Sequence, residues 1–132
     1  MLNAIPSDRL FTKDHEWIKE QKEYAQIGIT EYAQRCLGDI VYVELPKIGA
    51  RLNKGEALGV VESIKSVSDI YAPTDGIVIE INKEVIEHPD LINKDPYENG
   101  WLLKIQPLNQ EFFNELLNSQ NYKELLEKED KH

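Results

Sequence analysis

The sequence predicts one mainly β domain. Short runs of β-branched and apolar residues recur along the 132-residue chain, separated by turns rich in Gly, Pro, Asn and Asp. The central run, from Ala57 to Ala72, has strand-like residues on both sides of a polar crest and is typical of a hairpin. A chain of this length has room for one modest core. A composition of 41% hydrophobic and 30% charged residues is ordinary for a globular protein.

The first half of the chain is predicted to contain four strands before the central hairpin. Arg9 to Thr12 is a candidate short strand, and Trp17 to Glu20 and Tyr24 to Ile29 are the arms of a hairpin with a polar turn between them. Asp39 to Leu45 mixes apolar with acidic positions, which favours a half-buried strand, and Pro46 ends it.

A short helix is predicted between the first hairpin and the strand after it. Thr30 is a good N-cap residue, and Gly38 is well placed to end the helix. The buried face is predicted to carry Tyr32 or Ala33, with Cys36 and Leu37. Nothing around Cys36 indicates a lowered thiol pKa, so we interpret it as a small core residue and not as a nucleophile.

Lys65 lies near the middle of the polar crest that joins the two arms of the central hairpin, from Glu62 to Asp69. A turn tip is among the most exposed places that a chain offers to a lysine. The ordinary interpretation is a solvated surface lysine. The alternative is an amine presented for modification.

The remaining elements are a strand, a helical turn with a loop, and a closing strand. They are predicted at Ile77 to Asn82, at Lys83 to Asn99 and at Trp101 to Ile105, with Pro107 after the last. Asn109 is a candidate cap for a C-terminal helical segment.

An apolar stripe follows Asn109, and we predict that it packs against the β-domain. Its residues recur at three-to-four-residue spacing, with an interruption at 119–121: Phe112, Phe113, Leu116, Leu117, Tyr122, Leu125 and Leu126. Glu127 to His132 is a charged tail that we expect to fray.

Composition excludes several classes of function. A net charge of −9 disfavours nucleic acid and anionic membranes as partners. The chain has neither a membrane-spanning run nor a signal or transit segment, which favours the cytoplasm. One cysteine and three scattered histidines predict neither a disulfide nor a metal site. No phosphate loop or nucleophile elbow is present, so a carrier is favoured over an enzyme.

Several blocks in order resemble the glycine cleavage system H protein family over nearly the whole chain. They are Asp14-His15-Glu16-Trp17-Ile18, 27–34, 37–46, Glu62 to Pro73 followed by Gly76, Asp95-Pro96-Tyr97 and Gly100-Trp101-Leu102. The resemblance implies the flattened hybrid barrel-sandwich of lipoyl and biotinyl carriers, in a single domain over 1–132. Its β-barrel core would span 8–107 and its C-terminal helical segments 109–129. A faint internal echo around Gly49 to Gly55 and Thr74 to Gly76 fits two similar halves.

The resemblance also implies the site residues. It places covalently attached lipoic acid on Lys65, with Glu62 and Gly76 recognised by the lipoylating enzyme. It places Glu16 and Asp69 in a cleft for the loaded arm. The plain alternatives are a solvated charge for Glu62, a turn residue with an unusual backbone angle for Gly76, and surface charges for the cleft carboxylates.

The block that contains Glu16 also carries three neighbouring residues that the resemblance bears on, Asp14, His15 and Trp17. Asp14 stands where relatives often have Ser. His15 and Trp17 are expected to pack and to form hydrogen bonds at the cleft wall.

The implied function is a non-enzymatic shuttle for the aminomethyl group of glycine. Its partners would be a PLP-dependent glycine decarboxylase, a tetrahydrofolate-dependent aminomethyltransferase, dihydrolipoyl dehydrogenase, and a lipoate–protein ligase or lipoyltransferase, and the chain would be a monomer. A lipoyl donor for 2-oxoacid dehydrogenases is the main alternative. An unmodified interaction module and a biotin carrier are others, although Ile64-Lys65-Ser66 lacks the Met-Lys-Met of biotin carriers.

Overall fold

Two antiparallel sheets form the protein in the computed structural model, which describes residues 5–130. The strands are β1 (Leu10–Phe11), β2 (Glu16–Glu20), β3 (Ala25–Ile29), β4 (Ile40–Glu44), β5 (Arg51–Leu52), β6 (Ala57–Ser63), β7 (Val67–Tyr71), β8 (Gly76–Ile81) and β9 (Leu103–Pro107). Six strands form one sheet in the order β1-β2-β3-β9-β8-β5, and three form the other in the order β4-β6-β7. The predicted strands are thus present, with small shifts of their ends.

Helices connect and close the sheets: α1 (Glu31–Leu37), α2 (Lys83–Glu87), α3 (Leu91–Lys94), a 3₁₀ helix (Gln110–Glu115) and α4 (Ser119–Asp130). The Thr30 hydroxyl accepts the Ala33 N–H at 3.2 Å and caps α1, as predicted. Gly38 ends α1 with φ of 87°, a left-handed conformation that glycine adopts at little cost. Within the described range no helix is long and apolar enough to cross a membrane.

The main core lies between the two sheets. Both contribute fully buried side chains, including Ile27 and Ile105 from the larger sheet and Val61 from the smaller one. A second core lies behind β2, where Phe11, Trp17 and Tyr122 are fully buried. Trp17 packs against Gly28 so closely that a Cβ at Gly28 would lie 2.5 Å from its ring.

The C-terminal apolar stripe is divided between the two cores. Phe112, on the 3₁₀ helix, joins the main core, whereas Tyr122, on α4, closes the second core. The predicted packing against the β-domain is confirmed. The expected frayed tail is wrong for 127–130, which continue α4, and Glu129 pairs with His15 at 2.9 Å. Residues 131–132 lie outside the described range.

The expectation that Cys36 is a core residue is wrong. Its side chain is exposed. Ala33 and Leu37 lie one turn apart and supply the apolar contacts of α1 with the main core, so this seven-residue helix directs Cys36 away from it. The apolar spacing predicted the helix correctly but predicted too wide a buried face.

Gly76 is buried at the start of β8, paired with Leu52 and Pro107, and its φ is not positive. The alternative interpretation of Gly76, as a turn residue with an unusual backbone angle, is therefore wrong. Glycine is needed for a different reason, because a Cβ at this position would lie 2.9 Å from the backbone oxygen of Gln106.

Gly76→Ala should lower the free energy of unfolding by about 2–3 kcal/mol, because the crowded atom belongs to backbone that cannot rotate away. Gly49→Ala is the control: its φ is 93° but nothing lies within 4 Å of an added Cβ, so we expect a loss of about 1 kcal/mol. Urea unfolding of both variants measures this difference. An equal or smaller loss for Gly76→Ala would contradict the close-approach explanation.

Candidate functional site

Lys65 is exposed at the tip of the β6–β7 hairpin, as predicted. The Ser63 N–H donates to the Ser66 carbonyl at 2.8 Å, which closes a turn with Ile64 and Lys65 between them. The tip contains no residue with positive φ, so its backbone is unstrained.

The Ser63 hydroxyl organises this tip. It is 3.3 Å from the Lys65 N–H and 3.1 Å from the Ser66 N–H, both of which donate to it. The Ile64 N–H donates to the Asp39 carbonyl at 3.1 Å and anchors the tip to the start of β4. Sequence reasoning missed Ser63, although a serine two residues before an exposed turn position is a recognisable signal for side-chain capping of a turn.

The side chain of Lys65 lies against the end of α1. A Cβ at Gly38 would be 3.3 Å from its Cε and 3.9 Å from its Nζ. Asn93 holds this end of α1 by donating to the Gly38 carbonyl at 2.9 Å. The base of any group attached to Lys65 therefore starts beside Gly38 and α1.

A cavity of about 190 Å³ opens along the same helix, between α1, β2 and β7. Its apolar walls include Ile29, Ala33, Leu37, Val61 and Ile70. The structure brings its polar groups together from distant parts of the sequence: Asp14, His15, Glu16, Tyr32, Cys36, Ser68 and Asp69. The two predicted cleft carboxylates, Glu16 and Asp69, thus line one cavity, and the exposed thiol of Cys36 lies there as well. Trp17 lies in the second core instead, where its indole N–H donates to the Pro96 carbonyl at 2.9 Å.

Glu16 is a buried carboxyl group, only 3% exposed. Its Oε1 accepts the Thr12 hydroxyl at 3.1 Å, and its Oε2 accepts the Tyr71 N–H at 2.8 Å. Burial raises the pKa of Glu16 to about 7 in spite of these two donors. Glu16 also borders a larger cavity of about 750 Å³ on the side of Lys54. The surface-charge alternative therefore does not apply to Glu16.

The other two predicted residues lie apart from this cavity. Glu62 is half-buried on β6, opposite Tyr42 on one side and Val67 on the other, close to the Lys65 tip. Gly76 lies in the larger sheet, paired with β5 and β9. Glu62 therefore lies beside the Lys65 tip, whereas Gly76 lies in the larger sheet and has a structural role there.

Comparison with known proteins gives one consistent answer. The model of the glycine cleavage H-protein family matches residues 9–129. A glycine cleavage system H protein of Carboxydothermus hydrogenoformans is 47% identical over 128 residues, covering 97% of this chain and 98% of that protein. One from Thermus thermophilus is 48% identical over 125 residues, covering 95% and 98%. A crystal structure of the Mycobacterium marinum H protein superposes with a TM-score of 0.85 at 40% identity, covering 91% and 97%.

The two-sheet barrel-sandwich, which superposes on a solved H protein, places the chain in the class of lipoyl-type carrier domains. Within that class, the chain belongs to the glycine cleavage H-protein family. The predicted fold class and the predicted carrier role are confirmed. Proteins of this family carry lipoate covalently on a lysine, and their partners belong to the glycine cleavage system.

The burial of Glu16 predicts a pH dependence of stability. The folded protein keeps the proton of Glu16 up to a pKa of about 7, whereas the unfolded chain loses it near the ordinary value of 4.5. The free energy of unfolding therefore falls as the pH rises through this window, by at most about 3 kcal/mol for this group.

Glu16→Gln should remove this contribution while keeping the shape of the side chain. Urea unfolding of both proteins at about pH 5 and about pH 8 measures it as the difference between their pH responses. Identical pH responses would show that Glu16 titrates normally.

Proposed function

We propose that Lys65 is the lipoylated residue and that the cavity between α1, β2 and β7 receives the loaded arm. The carrier would accept the aminomethyl group of glycine from the PLP-dependent decarboxylase and deliver it to the tetrahydrofolate-dependent aminomethyltransferase. Dihydrolipoyl dehydrogenase would then reoxidise it. The observation that carries this proposal is the position of Lys65 beside Gly38, at the end of the helix that lines the cavity.

The residues present fit a lipoyl group. Lys65 offers an exposed amine for the amide bond, and Gly38 leaves room for the base of the arm. Ala33, Leu37 and Val61 give the cavity an apolar wall suited to an alkyl chain and a dithiolane. When attached, the group supplies a disulfide that takes up the aminomethyl cargo as it is reduced.

The carboxyl groups of the cavity would hold the cargo. A cationic amine that enters the cavity meets Glu16 and Asp69, and ionised carboxylates accept charge-assisted hydrogen bonds from it. Thr12 and the Tyr71 N–H fix both oxygens of Glu16 in place, so little reorganisation is needed on binding. The apolar walls would limit access of water to the carbon that links the amine to sulfur.

The remaining assignments follow from position. Glu62 lies near enough to the hairpin tip to be read together with Lys65 by a lipoate–protein ligase or lipoyltransferase. Gly76 would assist lipoylation indirectly, because it allows the close packing of β8 against β9 in the domain that the lipoylating enzyme recognises. The proposed protein is a cytoplasmic monomer, compact enough to present one hairpin to several enzymes in turn.

Lys65→Arg should fold normally and lose all lipoylation and carrier activity, because arginine keeps the charge but offers no amine for amide formation. Lys22→Arg, at the turn between β2 and β3, is the matched control and should be fully modified. Intact mass and peptide mapping after incubation with lipoate and a lipoate–protein ligase measure this. An adduct on the Lys65→Arg variant would contradict the assignment.

Glu16→Gln and Asp69→Asn should be lipoylated as fully as the wild-type protein. Each should lose the cargo about tenfold faster, because a charge-assisted hydrogen bond is removed. The rate of formaldehyde release from the isolated loaded protein measures cargo loss. Unchanged formaldehyde release from both variants would show that Glu16 and Asp69 do not hold the cargo. Efficient lipoylation with no acceptance of cargo from glycine decarboxylase would favour the lipoyl-donor alternative.

A further inference from the structure

The hydroxyl of Tyr122, on the C-terminal helix, joins two elements that border the proposed cleft. Its ring is fully buried and stacked on Phe11, with 4.6 Å between ring centroids. The hydroxyl lies 2.7 Å from Oγ1 of Thr30, the N-cap of α1, and 2.9 Å from Nδ1 of His15, directly before β2. One phenol from α4 thus bonds the start of α1 and the start of β2.

His15 is the point at which this contact meets the cleft. Its φ of 69° is the one positive value among the described non-glycine residues, a strained conformation for a histidine. Its carbonyl accepts the Thr30 N–H at 3.0 Å, and its ring packs on Tyr32 with centroids 4.7 Å apart. A glycine would make this turn at little cost, so the contacts of the imidazole and the backbone hydrogen bonds of His15 together offset the cost of a histidine there.

Glu129 completes the arrangement from the same helix. It lies seven residues after Tyr122, two turns along one face of α4, and its Oε2 is 2.9 Å from Nε2 of His15. For a neutral imidazole this carboxylate places the proton on Nε2, so Nδ1 accepts from Tyr122 and the Tyr122 oxygen accepts from Thr30. Each polar group in the chain Thr30–Tyr122–His15–Glu129 then has a partner.

We propose that Tyr122 and Glu129 are positioning residues of the cleft, which hold His15 and through it the adjacent Glu16. The inference rests on the proposed function of the cavity as the cargo cleft. None of the described residues that line the cavity belongs to the C-terminal helix. The helix nevertheless fixes two walls of the cavity at once, the start of α1 through Thr30 and the start of β2 through His15. Its loss would let these walls separate and admit water to Glu16.

The test uses the full-length lipoylated protein with Tyr122→Phe, which removes the hydroxyl and keeps the stacked ring. We expect normal lipoylation and cargo loss about fivefold faster, the factor typical of one lost buried hydrogen bond. We also expect the titration midpoint of Glu16, followed through its carboxyl ¹³C signal, to move down from about 7 toward 4.5 as the site hydrates.

Glu129→Ala should accelerate cargo loss in the same direction. Glu129→Gln keeps an acceptor for the Nε2–H of His15. It should therefore retain the cargo nearly as well as the lipoylated wild-type protein. This rescue separates positioning of the imidazole from a general effect of surface charge.

Val78→Ala is the stability control, since Val78 is buried in β8 and is not among the residues that line the cleft. It should lower Tm at least as much as Tyr122→Phe and leave both cargo retention and the titration of Glu16 unchanged. Cargo loss that follows Tm across all variants, or an unaltered Glu16 titration in Tyr122→Phe, would overturn the proposal. Glu16→Gln and Asp69→Asn, measured alongside, test the cleft itself. Unchanged retention in both would refute the role of the cavity as the cargo cleft, while the Glu16 titration in Tyr122→Phe still decides the role of α4.

Discussion

A buried carboxyl group joins the two sheets of this protein. Glu16 lies on β2 of the larger sheet, and its Oε2 accepts the N–H of Tyr71 at the end of β7, an edge strand of the smaller sheet. Leaving a buried carboxyl without partners would be costly, so Thr12 and Tyr71 must stay in place. The contact therefore fixes the spacing of β2 and β7, and the cavity that carries the proposed function lies between these strands.

The Lys65 hairpin tip is rigid, so any mobility of an attached group must come from the group itself. The Lys65 tip has its turn amides bonded to Ser63 and is anchored to Asp39, so the proposed attachment point moves with the sheet. Only the attached arm is then free to search for a partner's active site, and its reach is measured from a fixed base. Tethering of this kind raises the local concentration of the carried group without any new contact between proteins. A flexible hairpin would spread the same group over a larger volume.

Local patterns predicted the strands, the cap of α1 and the exposure of Lys65, because each depends on residues close in sequence. The resemblance to a family supplied Glu16 and Asp69, which the fold brings to one cavity although 53 positions separate them. Cys36 was misplaced, since a seven-residue helix needs only Ala33 and Leu37 to contact the core. The contact of Tyr122 with Thr30, 92 positions away, depends on how α4 closes the second core, and no local pattern encodes it.

In the proposed cleft, Glu16 would also link its own ionisation to the binding of cargo. With a pKa of about 7, an empty cleft holds Glu16 partly protonated near neutrality, and this limits the cost of burying a charge there. An incoming ammonium group would favour the carboxylate, so the proposed binding of cargo would release a proton and lower the pKa of Glu16. A carboxyl with an ordinary pKa would be charged whether the cleft is empty or full and would lack this coupling. The burial that disfavours the ionised form of Glu16 would therefore make its ionisation responsive to a cation and leave it partly protonated in the absence of one.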